Sequence, residues 1–128
     1  MAFNVLVVDD STVMRHMIVK SLHMCRLPIE EIYQASNGKE GLDVLEKKWV
    51  DLVLMDINMP VMNGEEMFYR IRENADTRSL PVIIISSEAS KARIESFARA
   101  GAGFVHKPFT PEKLKETITK TFEKVPEV

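Results

Sequence analysis

Residues 3–25, FNVLVVDDSTVMRHMIVKSLHMC, change period in the middle. Phe3 to Val8 is short, β-branched and almost continuously apolar, which suits a strand buried on both faces. Past Asp9-Asp10-Ser11 the positions Met14, Met17, Ile18, Ser21, Leu22 and Cys25 recur at i, i+3, i+4, i+7, i+8 and i+11, the stripe of an amphipathic helix. A fully buried strand that feeds a helix is half of a parallel β-α-β unit. The rest of the chain repeats it.

Residues 32–35 predict a second strand, and Asn37 with Glu40 reads as a capping pair opening a helix through Leu42 and Leu45. Residues 52–55, LVLM, form a third buried strand ending at Asp56. After a Met- and Pro-containing loop, Asn63 and Glu66 are placed as cap and partner of a third helix carrying Met67, Phe68 and Ile71. A fourth strand, VIII, runs into Ser86-Ser87, and Ile94, Phe97 and Ala98 mark a fourth helix. Residues 104–106 give a brief fifth strand, and Thr110-Pro111 is an N-cap followed by proline at the first helical position. Five β-α pairs in strict alternation predict an α/β fold, a doubly wound five-stranded parallel sheet covered by helices on both faces. Ligands then belong beyond the carboxyl ends of the strands.

Composition narrows the function. At 128 residues with 45% hydrophobic and 28% charged, the chain is one globular domain over 1–128. The formal net charge of -2 leaves no basic excess to attract nucleic acid or an anionic membrane. One cysteine, Cys25, excludes an internal disulfide framework. No apolar run approaches the ~20 residues needed to span a bilayer, and the N-terminus has no basic region of a secretion signal. A cytoplasmic monomer is expected. The tail 124–128, KVPEV, is too short to serve as an output module.

The chemistry collects at the strand ends. The first strand delivers Asp9 and Asp10, the third Asp56 and then Asn58, the fourth Ser86, Ser87 and Glu88, and the fifth Lys107. Three carboxylates at one edge repel unless a cation neutralises them. With no histidine or cysteine beside them, oxygen-only ligands favour Mg²⁺ over zinc. Lys107 adds positive charge and Ser86 a hydroxyl donor, a set suited to a phosphoryl group. Asp56, alone at the end of the central strand, is the candidate nucleophile.

These residues carry a resemblance. The segments VLVVDD (5–10), LVLMDINMPVMNG (52–64), VIIISSEA (82–89) and GFVHKPFTPEKL (103–114), in that order, resemble a response-regulator receiver domain of the stand-alone, CheY-like chemotaxis type. The resemblance covers essentially the whole chain and implies a flavodoxin-like (βα)5 sandwich. It implies that Asp56 is the phosphorylated aspartate. Asp10, Asp56 and the backbone carbonyl of Asn58 become Mg²⁺ ligands, with Asp9 reaching the metal through water. Ser86 becomes the switch hydroxyl, Phe104 the switch aromatic and Lys107 the phosphate contact, while Asn58 and Glu88 fall at positions that tune phosphate lifetime. It also implies a cis bond before Pro108, a histidine kinase as phosphodonor, and a protein target such as a flagellar motor, a kinase or a phosphorelay partner. The segment 101–107 is one residue shorter than the usual pattern, and the switch position holds serine rather than threonine.

Two other classes compete. A phosphatase of the haloacid-dehalogenase type needs a second carboxylate where Asp56-Ile57-Asn58 has none, and a cap domain. A nucleotide- or flavin-binding module needs a glycine-rich first turn, where this chain has Asp9-Asp10. A signalling switch, not an enzyme acting on a separate substrate, is the better reading. Met14, Met17 and Met55 are expected in the core, Met59 and Met62 exposed near the site, and Trp49 over the end of the second helix. Cys25 is expected to be an inert buried thiol, and His16 and His23 to be ordinary surface or boundary residues. The charged faces of the last two helices are read first as solvated, second as a partner surface together with the fifth strand.

Overall fold

A computed structural model of the protein describes residues 2–87 and 90–123; Glu88 and the tail 124–128 lie outside the described residues. The chain runs β1 (Phe3–Val8), α1 (Thr12–Met24), β2 (Ile29–Ala35), α2 (Gly38–Lys47), β3 (Leu52–Met55), α3 (Gly64–Glu73), β4 (Val82–Ser86), α4 (Lys91–Arg99), β5 (Gly103–His106) and α5 (Pro111–Glu123). The strands pair in parallel in the order β2-β1-β3-β4-β5.

Alternation along each strand feeds two cores. Val5, Val7, Leu52, Leu54, Ile83 and Ile85 pack with Ile18 and Leu22 of α1 and Leu114 and Ile118 of α5. Leu6, Val8, Val53, Met55 and Ile84 face the other way, onto Met67, Phe68 and Ile71 of α3 and Phe97 of α4. Every residue of β3 and β4 is therefore buried, which explains their unbroken apolar runs. Helix starts follow local chemistry: the side chains of Ser11, Asn37, Asn63 and Ser90 accept the N–H three residues on, and Thr110 does the same for Lys113.

Several expectations need correcting. β2 starts three residues before position 32, because Glu30 and Glu31 are tolerated on an edge strand whose outer side is solvent. Met17 is 52% exposed: the inward face of α1 is set by Ile18, Leu22 and Cys25, leaving Met17 beside Lys20 and Met24 on the outer flank. Met59, expected outside, is only 9% exposed and belongs to the core under α3. Trp49, expected over the end of α2, is 77% exposed and donates from Nε1 to Asp51 Oδ1 at 2.9 Å. Glu66 does not turn back to the cap at Asn63 but pairs with Arg70 at 3.2 Å. Cys25, by contrast, is buried as expected, with its thiol on the Pro111 carbonyl at 3.3 Å, and burial pushes the thiol pKa up.

The short connection from α4 to β5 has a visible cause. The N–H groups of Ala100, Gly101 and Ala102 fold back onto the carbonyls of Ser96, Phe97 and Ala98, with Gly101 at φ +89, where only glycine sits without strain. Arg72 braces this turn, donating from Nε to Ala100 O at 2.9 Å and from Nη1 to Leu80 O at 2.7 Å over the Phe68 ring. β5 can therefore begin at Gly103, one residue earlier than predicted, with Phe104 opposite Ile84.

Candidate functional site

The strand order reverses between β1 and β3, because the chain first builds outward to β2 and then to β4 and β5 on the other side. The carboxyl ends of β1 and β3 thus flank a crevice, the place where such sheets bind ligands. Asp9 leaves β1 there and Asp56 leaves β3.

Asp9 is only 1% exposed. Its Oδ1 accepts the Ser11 N–H at 2.9 Å, and its Oδ2 lies 3.2 Å from Lys107 Nζ. Asp56 Oδ1 accepts the Ile57 N–H at 2.7 Å, and its Oδ2 is also 3.2 Å from Lys107 Nζ. One ammonium therefore bridges two carboxylates. Asp10 is exposed at the rim, and one carboxylate oxygen from each of Asp9, Asp10 and Asp56 lies within 4.8 Å of the others. Lys107 offsets one of the three charges. The remaining excess, carried on oxygen atoms alone, fits a hard divalent cation that keeps part of its water, as Mg²⁺ does.

The supports are backbone. Lys107 N–H bonds the Ser86 carbonyl at 3.0 Å, so the end of β4 fixes the lysine, and the Lys107–Pro108 bond is cis as the resemblance implied. After Asp56 the chain returns on itself. Gly64 N–H bonds Ile57 O at 2.7 Å, and a Cβ at Gly64 would overlap the Asp56 carbonyl oxygen. Between them Met62 N–H bonds Pro60 O at 2.7 Å around Val61 at φ +68, a γ-turn of the rarer, strained hand. Met62 O then accepts the Gly38 N–H at 2.9 Å, docking this loop on the start of α2. That return is what carries Met59 into the core.

Of the residues predicted from sequence, Asp9, Asp10, Asp56 and Lys107 are brought together. Ser86 is buried at the end of β4, and Asn58 is exposed in the loop. Phe104 is half-buried, its ring 4.7 Å from that of His106 on the same face of β5. Arg15 was missed. Its Nη1 donates to the Asp9 carbonyl at 2.6 Å, Nε to Gln34 Oε1 at 3.1 Å and Nη2 to Thr12 Oγ1 at 3.3 Å. A readable signal existed: a cation near a helix N-terminus opposes the macrodipole and so implies a compensating acceptor.

An all-oxygen acid cluster at the switch crevice of a 2-1-3-4-5 parallel sheet, bridged by one lysine, is chemistry suited to a cation and a phosphoryl group. The chain belongs to the response regulator receiver domains: the family model matches residues 5–119. It is 38% identical over 122 residues to the chemotaxis protein CheY-3 of Vibrio cholerae, covering 94% of this chain and 92% of that one. It is 37% identical over 115 residues to the chemotaxis protein CheY homolog of Campylobacter jejuni, covering 88% and 87%. Its fold matches the solved structure of Vibrio cholerae CheY4 with a TM-score of 0.81 at 31% identity, over 94% of this chain and 99% of that one. As a receiver it is a phosphorylation-dependent switch of two-component signalling rather than a conventional enzyme. No helix among the described residues is long and apolar enough to cross a membrane.

Proposed function

We propose that the whole chain is one receiver that takes a phosphoryl group on Asp56 from the phosphohistidine of a sensor kinase, in a chemotaxis-type pathway. The observation that carries this is Lys107 Nζ at 3.2 Å from both Asp9 and Asp56 in the β1/β3 crevice. In the transfer the N–P bond of a donor protonated on its other ring nitrogen breaks and an O–P bond forms to Asp56, giving an acyl phosphate and a neutral donor imidazole that keeps that proton. Asp10, Asp56 and the carbonyl of Asn58 would hold Mg²⁺, with Asp9 one water away. The ion would supply charge neutralisation for the incoming phosphoryl oxygens. Lys107, released from its two carboxylates, contacts the phosphate. Later hydrolysis of the acyl phosphate by the chain itself resets the switch.

Readout follows from charge. The phosphoryl group adds roughly -1.5 to -2 charge and strong acceptors, toward which the Ser86 hydroxyl donates. Phe104 moves into the space Ser86 leaves, and the β5/α4/α5 face changes its affinity for a protein target. Acetyl phosphate with Mg²⁺ is expected to add one phosphoryl group to the protein and none to Asp56→Asn, read by intact mass. Ser86→Ala is expected to accept phosphate yet lose most of the NMR shift change at Phe104 and His106 with beryllofluoride. Equal phosphorylation of Asp56→Asn would refute the acceptor assignment, and unchanged shifts in Ser86→Ala would refute the coupling.

A further inference from the structure

The peptide unit between Asp9 and Asp10 is planar, so its carbonyl oxygen and the Asp10 N–H turn together. Arg15 grips that oxygen at 2.6 Å with one charge-assisted bond. Its other two donor positions are tied to Gln34 on β2 and to Thr12 at the start of α1, so the guanidinium is anchored on two elements. On the far side of Asp10, the Ser11 N–H is held by Asp9 Oδ1 at 2.9 Å. The backbone of Asp10 is thus fixed from both sides, although its side chain is exposed at the rim. From these contacts we infer that Arg15 is a positioning residue for the metal site: by fixing the Asp9–Asp10 peptide it aims the Asp10 carboxylate at the point shared with Asp9 and Asp56. This rests on the Mg²⁺ reading above.

The sign of the effect separates this role from simple electrostatics. A cation beside three carboxylates repels Mg²⁺, so if charge were all that mattered, Arg15→Met would bind Mg²⁺ more tightly and Arg15→Lys would be unchanged. A positioning role gives the opposite. Lysine keeps the charge but not the three-way fork, so both variants bind Mg²⁺ more weakly, Arg15→Met by roughly tenfold, the lower end for loss of an outer-shell partner. The experiment is a Mg²⁺ titration of the full chain at fixed ionic strength, followed by NMR through the Asp10 and Ser11 amides. Thermal unfolding in EDTA runs alongside it. Weaker binding in both variants, with those two amides shifted before metal is added, is the expected result. Should Arg15→Met fail to fold, Arg15→Lys and Gln34→Leu carry the test, each expected to weaken binding by a smaller factor. Binding that is unchanged or tighter in the folded variants would overturn the inference alone. A parent protein that binds no Mg²⁺, with Asp10→Asn indistinguishable from it, would overturn the metal reading and this inference with it.

Discussion

Replacing Lys107 by methionine keeps the length of the side chain and removes its charge. Each ion pair at 3.2 Å is worth about 5 kcal/mol of Coulomb energy at an effective dielectric of about 20, before solvation is counted. The acids lie within 4.8 Å of one another, so once the ammonium is gone Asp9 and Asp56 repel by about 3.5 kcal/mol on the same scale. Desolvation of the ammonium offsets much of this, and breaking a buried pair by deleting one partner costs about 3–5 kcal/mol in practice. The lower end applies here, because the Lys107 side chain keeps 18% of its exposure and that of Asp56 13%. Lys107→Met is therefore expected to lose about 3 kcal/mol in urea unfolding at neutral pH in EDTA. A few millimolar Mg²⁺ is expected to narrow the gap, since the ion neutralises the same carboxylates and binds a site with one more net negative charge. Far-UV circular dichroism serves as the readout, because Trp49 leads into β3 at the end opposite Asp56 and cannot report the site. A variant as stable as the parent in EDTA, or a gap that Mg²⁺ leaves untouched, would refute this account of the lysine bridge.

Phe97 is the one fully buried side chain of α4 and meets the Phe68 ring edge-on at 5.5 Å, so Phe97→Ala is expected to cost about 3–5 kcal/mol. Hydrogen exchange should rise most in α4, and a uniform rise would count against Phe97 as its anchor. Val61 is a β-branched residue at φ +68 and 78% exposed, so it gains little packing in return for its strain. Val61→Gly is expected to raise stability by about 1 kcal/mol, glycine's own entropy cost included, and a loss of stability in urea would show that the strain is not there.

Most of the fold was legible because its signals are local. The apolar runs of β1, β3 and β4 and the caps at Asn37, Asn63 and Thr110 each lie within a few residues of the structure they cause. What failed needed information from elsewhere in the chain. Glu30 and Glu31 interrupt the period of β2, and only its place at the sheet edge makes them acceptable. Met17 and Met59 are the same residue type, but their burial is decided by the outer flank of α1 in one case and the return of the loop in the other. The acids and Lys107 could be gathered because each follows a strand, and strand ends converge in a parallel sheet. Arg15 was only half legible: a cation near the start of α1 implies a compensating acceptor, but the nearest one is the Asp9 backbone carbonyl, which no residue type announces.

The contact between Gly64 and the Asp56 carbonyl has a consequence for how this sequence can vary. With no room for a Cβ there, a library randomised across 56–64 and selected only for folding should return glycine at 64, while position 61, facing solvent at φ +68, should favour glycine and asparagine without becoming fixed. Selection for folding alone would thus make Gly64 look as invariant as a residue kept for its chemistry. Anyone transplanting the loop into another scaffold would need to move Asp56 and Gly64 as a single cassette.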